Sequence, residues 1–269
     1  VTTDDETAAG TTARPAAERP VLRLLQLYPQ EMNIYGDWGN TLTLARRAEW
    51  SGWPVDLLEV EVDGRYPSDV DLVVGGGGQD SGQIAIAPHL RAHGELLRDW
   101  VTQGVPMLLV CGSYQLFGHE FVPAASDTAS SPLEGISVFD ARTVGSDTRL
   151  IGNLTIRSDL FGDVIGYENH SGLTTLGPDT TPLGTVQPFG QEGSLAGGNN
   201  GSDATEGAVS HHAIGTYLHG SVLPKNPVLA DWLLARAVEH RTGEDLFRAP
   251  TGGESLTADA RRVAMSRPR

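Results

Sequence analysis

The rhythm of apolar and polar positions changes about halfway along the chain. In the first half, short apolar runs alternate with amphipathic segments. VLRLLQLY (21–28), VDLLEV (55–60), VDLVV (70–74) and MLLV (107–110) have strand length and lie between turn-forming residues. MLLV, between Pro106 and Cys111, suits a strand buried on both faces. Between them, a helix is predicted from a cap at Asn40 or Thr41 to about Trp50, stopped by Gly52 and Pro54. PHLRAHGELLRDWVTQG (88–104) places Leu90, Leu97 and Trp100 at helical spacing before Gly104, and SYQLFGHEF opens a further helix. The alternation implies a parallel, doubly wound sheet with its chemistry at the carboxyl ends of the strands.

In the second half, GISVFDARTV, RLIGNLTI, DVIGYENH, LGTVQPFG and AVSHHAIGTYLHG are short alternating segments separated by Gly, Pro, Asp and Asn. They predict antiparallel strands added to the same domain. The glycine-rich stretch 190–207 predicts a long hairpin loop. A helix over 226–240, with Leu229, Trp232, Leu233 and Ala237 on one face, closes the fold. The expected class is α/β: a single doubly wound, largely parallel sheet with helices on both faces plus added antiparallel strands. Residues 1–20, without periodicity, predict a disordered arm; 21–242 form the domain, and 243–269 a C-terminal extension.

Composition narrows the function. The 269 residues, 39% of them hydrophobic, suffice for a sizeable core. No run approaches the ~18 consecutive apolar residues of a membrane span, and the opening residues have neither the basic start nor the apolar core of a secretory signal. A net charge of −15 repels nucleic acid and anionic lipid. The single cysteine, Cys111, excludes an intrachain disulfide and thiolate-rich metal sites. A cytoplasmic enzyme is expected.

Cys111 stands where the apolar run 107–110 meets Gly112-Ser113 and a predicted helix. A sharp strand-to-helix turn there would push its side chain off the sheet edge, as in a nucleophile elbow. The first N–H groups of a helix favour a thiolate, and the Gly112 N–H can face the oxyanion formed when a carbonyl is attacked. The run Gly75–Gly78 follows another strand; it lacks the lysine of a phosphate loop and offers backbone N–H groups as further oxyanion donors. A thiolate nucleophile needs a proton shuttle. Of eight histidines, His170 and His219 each end a predicted strand beside small residues, and His219 leads into the last helix near the elbow. Arg142, Arg149 and Arg157 are candidate forks for a substrate carboxylate. Glu168/His170 and His211/His212 lack a third ligand at metal-site spacing.

PMLLVCGSYQLFG (106–118), with GTYLHG further along, resembles a class I glutamine amidotransferase domain of the cobyric-acid-synthase-like branch. NIYGDWGN (33–40), DLVVGGGGQD (71–80), RLIGNLTI (149–156), GYENHSG (166–172) and GTYLHGSVLPKNP (215–227) extend the resemblance to the GatD-type glutaminase subunits of lipid II isoglutaminyl synthases. The resemblance implies that Cys111 attacks the side-chain amide of L-glutamine. Gly112 with Gly76 and Gly77 holds the oxyanion, His219 protonates the departing ammonia, and Arg149 clamps the α-carboxylate. It also implies a heterodimer with a MurT-type, Mur-ligase-like subunit that carries ATP and any metal and amidates D-glutamate of lipid II at the inner face of the membrane. No cofactor is expected in this chain.

Two departures stand out. Ser113 replaces a glycine of the branch. Many class I amidotransferases carry His-x-Glu, whereas His219 is followed by Gly220 and Ser221. The expectation is therefore a Cys–His dyad or an acid supplied by the partner. A cobyric-acid-type amidotransferase and a stand-alone γ-glutamyl cysteine hydrolase are the rival readings; the chain length, without a fused synthetase domain, favours the cell-wall one.

Overall fold

A computed structural model describes residues 19–124, 131–188 and 197–267. Most of the arm expected at 1–20 and residues 190–196 of the expected glycine-rich loop lie outside the described residues. In chain order come β1 (Leu22–Leu27), α1 (Trp38–Trp50), β2 (Val55–Val60), β3 (Leu72–Gly75), α2 (Asp80–Ala92), α3 (Gly94–Thr102), β4 (Met107–Val110) and α4 (Gly112–Leu116). The strands β5 (Glu120–Val122), β6 (Leu133–Glu134), β7 (Ala141–Ser158), β8 (Gly162–Leu176), β9 (Gly184–Val186), β10 (Thr205–Glu206), β11 (Ala208–Ser210) and β12 (Ala213–Thr216) follow. The helices α5 (Val222–Lys225), α6 (Pro227–Thr242) and α7 (Glu254–Met265) close the chain.

The first sheet has the order β11-β12-β4-β3-β1-β2, and every pair but the β11–β12 hairpin is parallel. Every residue of β3, β4 and β12 is buried, as the apolar runs require. Most of the antiparallel strands form a sheet of their own, β10-β9-β7-β5-β6 with β8 on β7. The β7–β8 hairpin completes its own ladder from Ala141↔Leu176 to Ser158↔Gly162, and β5 and β9 take the other edge of β7. Of the described strands after β4, β11 and β12 join the first sheet, β12 parallel to β4 and β11 antiparallel to β12.

Several helices differ from the pattern-based expectation. α1 begins at Trp38, because Asn40 and Thr41 serve tertiary contacts: Asn40 Oδ1 accepts the Leu223 N–H at 3.0 Å, and Thr41 donates its hydroxyl to Gln26. The helix expected over 88–104 is two, α2 and α3, with His93 between them, and α2 starts eight residues earlier than Pro88 suggests. α4 ends at Leu116, so His119 precedes β5 and pairs with Asp140 on the surface. α6 runs as expected and is tied to α1 by a bidentate Arg47–Asp231 pair, both bonds 2.7 Å. Beyond it, α7 is pinned by Arg261, whose guanidinium donates to Asn226 Oδ1 and to the carbonyls of Asp163 and Lys225.

Candidate active site

The site forms where β3 and β4 end. The Val110–Cys111 junction turns sharply: Cys111 has φ 50° and ψ −105°, a conformation that costs a non-glycine residue of order 1–3 kcal/mol. The surroundings impose it. The Cys111 N–H donates to Thr216 O at 2.8 Å, and the Cys111 carbonyl accepts the Gln115 N–H at 2.9 Å as α4 begins. Ser113 fits here, since its hydroxyl donates to Gly76 O at 2.6 Å. The Cys111 side chain, 8% exposed, lines a cleft of about 510 Å3 with Tyr35, Gln83, Gln115, Arg149 and Asn169 among its walls.

His219 reaches the same point from beyond β12. Its backbone pairs with Tyr167 of β8, its N–H donating to Tyr167 O at 2.7 Å. The ring is fully buried, Nε2 makes no hydrogen bond among the described residues, and the Cys111 sulfur is near enough to act on the imidazole electrostatically. On its other side, Nδ1 lies 3.0 Å from Asp37 Oδ2. Burial alone would lower the imidazole pKa. The charge of a Cys111 thiolate and the hydrogen bond to Asp37 outweigh it and push the imidazole up to about 10. A Cys–His–Asp arrangement is thus assembled within this chain.

Asp37 is a carboxylate within this chain that meets the imidazole, where the residues just after His219 offer none. It stands 182 residues before His219, in the 33–40 segment, at the N-terminus of α1. Its carboxylate caps no helix N–H; it accepts the Gly77 N–H at 2.8 Å and faces the imidazole. The residue at 77 must be glycine, because a Cβ there would lie 2.6 Å from His219 Cε1.

Gly77 gives its N–H to Asp37, which takes it from the expected oxyanion donors, and Gly76 gives its carbonyl to the Ser113 hydroxyl; neither is among the residues lining the cleft. Gly78 does line it. Gly112 is the first residue of α4, with its backbone beside Cys111.

The arginines separate as well. Arg142 pairs with Glu120 at 2.5 Å and Arg157 with Asp163 at 3.0 Å, whereas Arg149 lines the cleft and donates Nε to Asn169 Oδ1 at 2.6 Å. His170 lies within β8 and not at its end. It also lines the cleft, but its ring is stacked on Tyr217 at 3.6 Å and Nδ1 is bonded to Gly172 O at 2.8 Å. Beneath the elbow, fully buried Glu206 accepts the Tyr217 N–H at 2.7 Å and the Thr216 hydroxyl, and burial pushes its carboxyl up to about 8.

Known proteins give this geometry a context. Residues 23–227 match the CobB/CobQ-like glutamine amidotransferase domain. The chain is 34% identical over 221 residues to the GatD subunit of lipid II isoglutaminyl synthase (glutamine-hydrolyzing) from Staphylococcus aureus, a match spanning 82% of this chain and 86% of that protein. It is 33% identical over 228 residues to the subunit of the same name from Streptococcus pneumoniae, covering 84% of each chain. A cobyric acid synthase from Nocardia farcinica is 31% identical over 182 residues, which is 67% of this chain and 34% of that protein. In fold, the chain resembles a crystal structure of a glutamine amidotransferase (TM-score 0.53, 14% identity, covering 79% of this chain and 98% of that one). It also resembles the PurLQS structure from Thermotoga maritima (TM-score 0.51, 10% identity, covering 82% of this chain and 98% of that one). The chain belongs to the CobB/CobQ-like glutamine amidotransferase family.

Proposed function

We propose that this chain is the glutaminase subunit of a lipid II isoglutaminyl synthase. The observation that carries the chemistry is the Cys111–His219–Asp37 arrangement at the foot of a cleft that also holds an arginine. Similarity over more than four-fifths of the chain to two GatD subunits carries the choice of pathway.

In the first half-reaction the Cys111 thiolate attacks the side-chain amide carbon of glutamine. The negative charge that develops on the oxygen is met by the Gly112 N–H at the start of α4. His219, held in orientation by Asp37, gives its proton to the amide nitrogen, the C–N bond breaks, and ammonia leaves. A γ-glutamyl thioester remains on Cys111. In the second half-reaction His219 takes a proton from water, hydroxide adds to the thioester, and glutamate departs as the Cys111 thiolate is restored. Arg149 presents its guanidinium to the glutamine α-carboxylate.

Ammonia then passes to a Mur-ligase-like partner of the MurT type, forming a heterodimer. That subunit binds ATP and any metal, activates the α-carboxylate of D-glutamate in lipid II, and amidates it to D-isoglutamine on the inner face of the membrane. Among the described residues of this chain, no helix is long and apolar enough to cross a membrane.

The test is reconstitution with the ligase subunit, glutamine, ATP and lipid II, read by mass spectrometry of the stem peptide. Amidated lipid II is the expected product. Glutamine hydrolysis coupled to amidation of a corrinoid acid would move the assignment to the cobyric acid branch, and turnover of γ-glutamyl peptides with no partner would make the chain a stand-alone hydrolase.

A further inference from the structure

A row of contacts crosses the mouth of the cleft that the chemistry above does not use. Arg149 Nε donates to Asn169 Oδ1 at 2.6 Å, and Asn169 Nδ2 donates to the Tyr35 hydroxyl at 2.6 Å. The Tyr35 ring then meets the His219 ring edge to face, with centroids 5.1 Å apart and planes at 75°. Arg149 and Asn169 stand opposite the parallel sheet, on β7 and β8. Tyr35 precedes α1, and His219 follows β12. The row therefore joins the wall that carries the arginine to the imidazole on the other side.

The backbone at Tyr35 makes this contact informative. Tyr35 sits in a single 3-10 turn, Ile34–Gly36, with φ 57° and ψ 18°. A bulky aromatic residue rarely adopts that conformation, and glycine would adopt it without penalty. The turn has its own reason to exist, since it delivers Asp37 to His219: the Ile34 N–H donates to Gly77 O at 2.9 Å, and Asn33 Oδ1 accepts the Trp38 N–H at 2.9 Å. None of those bonds needs a phenol at position 35. The ring is still 44% exposed, so core packing does not account for it either.

We propose that Tyr35 is a positioning residue that, through Asn169, sets the guanidinium of Arg149 for the substrate carboxylate while its ring holds the plane of His219. This rests on reading the cleft as a glutaminase site. The row engages Nε of the guanidinium, and a carboxylate fork would use its terminal nitrogens. One residue thereby serves both halves of the site. Its hydroxyl acts on recognition, and its ring acts on the proton shuttle.

The two roles separate by mutation. Kinetics are measured on the assembled complex, and L-glutamine binding is measured by calorimetry on this chain carrying Cys111→Ala, which cannot turn substrate over. Loss of one neutral hydrogen bond in Tyr35→Phe raises both KM and Kd for glutamine about three- to tenfold, with kcat within about twofold of wild type. Asn169→Ala gives the same pattern, and the double variant is no worse than either single one. Tyr35→Ala loses kcat in addition, which Tyr35→Phe retains. Unchanged KM and Kd in both Tyr35→Phe and Asn169→Ala would overturn the proposal, and so would independent effects that multiply in the double variant. If the wild-type complex bound glutamine without hydrolysing it, the assigned function would fail. Tyr35→Phe would still have to weaken binding in the calorimeter for the positioning role to stand.

Discussion

Two sheets meet at the cleft, and they contribute to it in different ways. The parallel sheet brings Cys111 and His219 on the ends of β4 and β12, every residue of which is buried. Its groups are held by backbone bonds and by close approach, such as Cys111 N–H to Thr216 O and Gly77 against the imidazole. The antiparallel sheet brings Arg149 and Asn169 on β7 and β8, where burial alternates and the register shifts between Gly145 and Leu150. The contrast teaches a division of labour. The sealed sheet fixes atoms that must meet within hydrogen-bond distance, including a strained cysteine backbone. In the proposed function, the half-exposed ribbon carries the side chains that meet the substrate carboxylate. Substitutions in the first region are expected to act on kcat, and those in the second on KM.

The hardest test of that division is Cys111→Ser, which should reduce glutamine hydrolysis at least about 10⁴-fold. Circular dichroism and Tm should stay near wild type, and amidation driven by added ammonia should survive in the complex. Next in size is Asp37→Asn, with kcat lowered about 10²- to 10⁴-fold and KM nearly unchanged, because the imidazole loses its orienting carboxylate. Arg149→Lys should raise KM about tenfold and leave kcat close to wild type, since a point charge does not reproduce a planar fork. A kcat loss in Arg149→Lys as large as that of Asp37→Asn would break the division.

The smallest effect concerns the support beneath the elbow. Glu206 is pushed up to about 8 in the folded chain, against an ordinary 4.5. The folded state holds that proton longer, so stability falls as pH rises from the ordinary value through about 8. Glu206→Gln cannot titrate. Thermal melts at acidic and alkaline pH should show the variant gaining a few degrees on wild type as pH rises, and a constant difference would contradict the burial argument.

Much of the sealed region was legible in the residues. The apolar runs give β1, β3 and β4, the strand–Cys–Gly–Ser junction gives the elbow, and His219 stands out by its place between an apolar strand and the helix that became α6. Asp37 was not legible. Its partner lies 182 residues away, and what makes room for both is the missing side chain of Gly77, a three-body fact with no local signature. A cue was available: an aspartate immediately before an amphipathic helix, within a segment that carries the family resemblance. The polar pair Asn40 and Thr41 read as a helix start because capping residues and buried hydrogen-bonding residues are the same types. On the ribbon, Gly145-Ser146-Asp147 reads as a loop between two strands, while the structure carries β7 through it with a register shift. The exposed arginines looked alike until the pairs Arg142–Glu120 and Arg157–Asp163 left Arg149 facing the cleft.

The central claim is that one chain supplies nucleophile, shuttle and orienting acid. The most direct measurement is the pH profile of glutaminase kcat/KM for the wild-type complex and for Asp37→Asn. His219 is held up to about 10 partly by Asp37, so in the proposed mechanism its proton serves the leaving ammonia up to that pH and is lost above it. The wild-type profile should fall on an alkaline limb near pH 10, and the Asp37→Asn limb should lie at lower pH because one cause of the elevation has gone. Superimposable limbs, with the two enzymes equally active below them, would show that Asp37 takes no part in setting the imidazole.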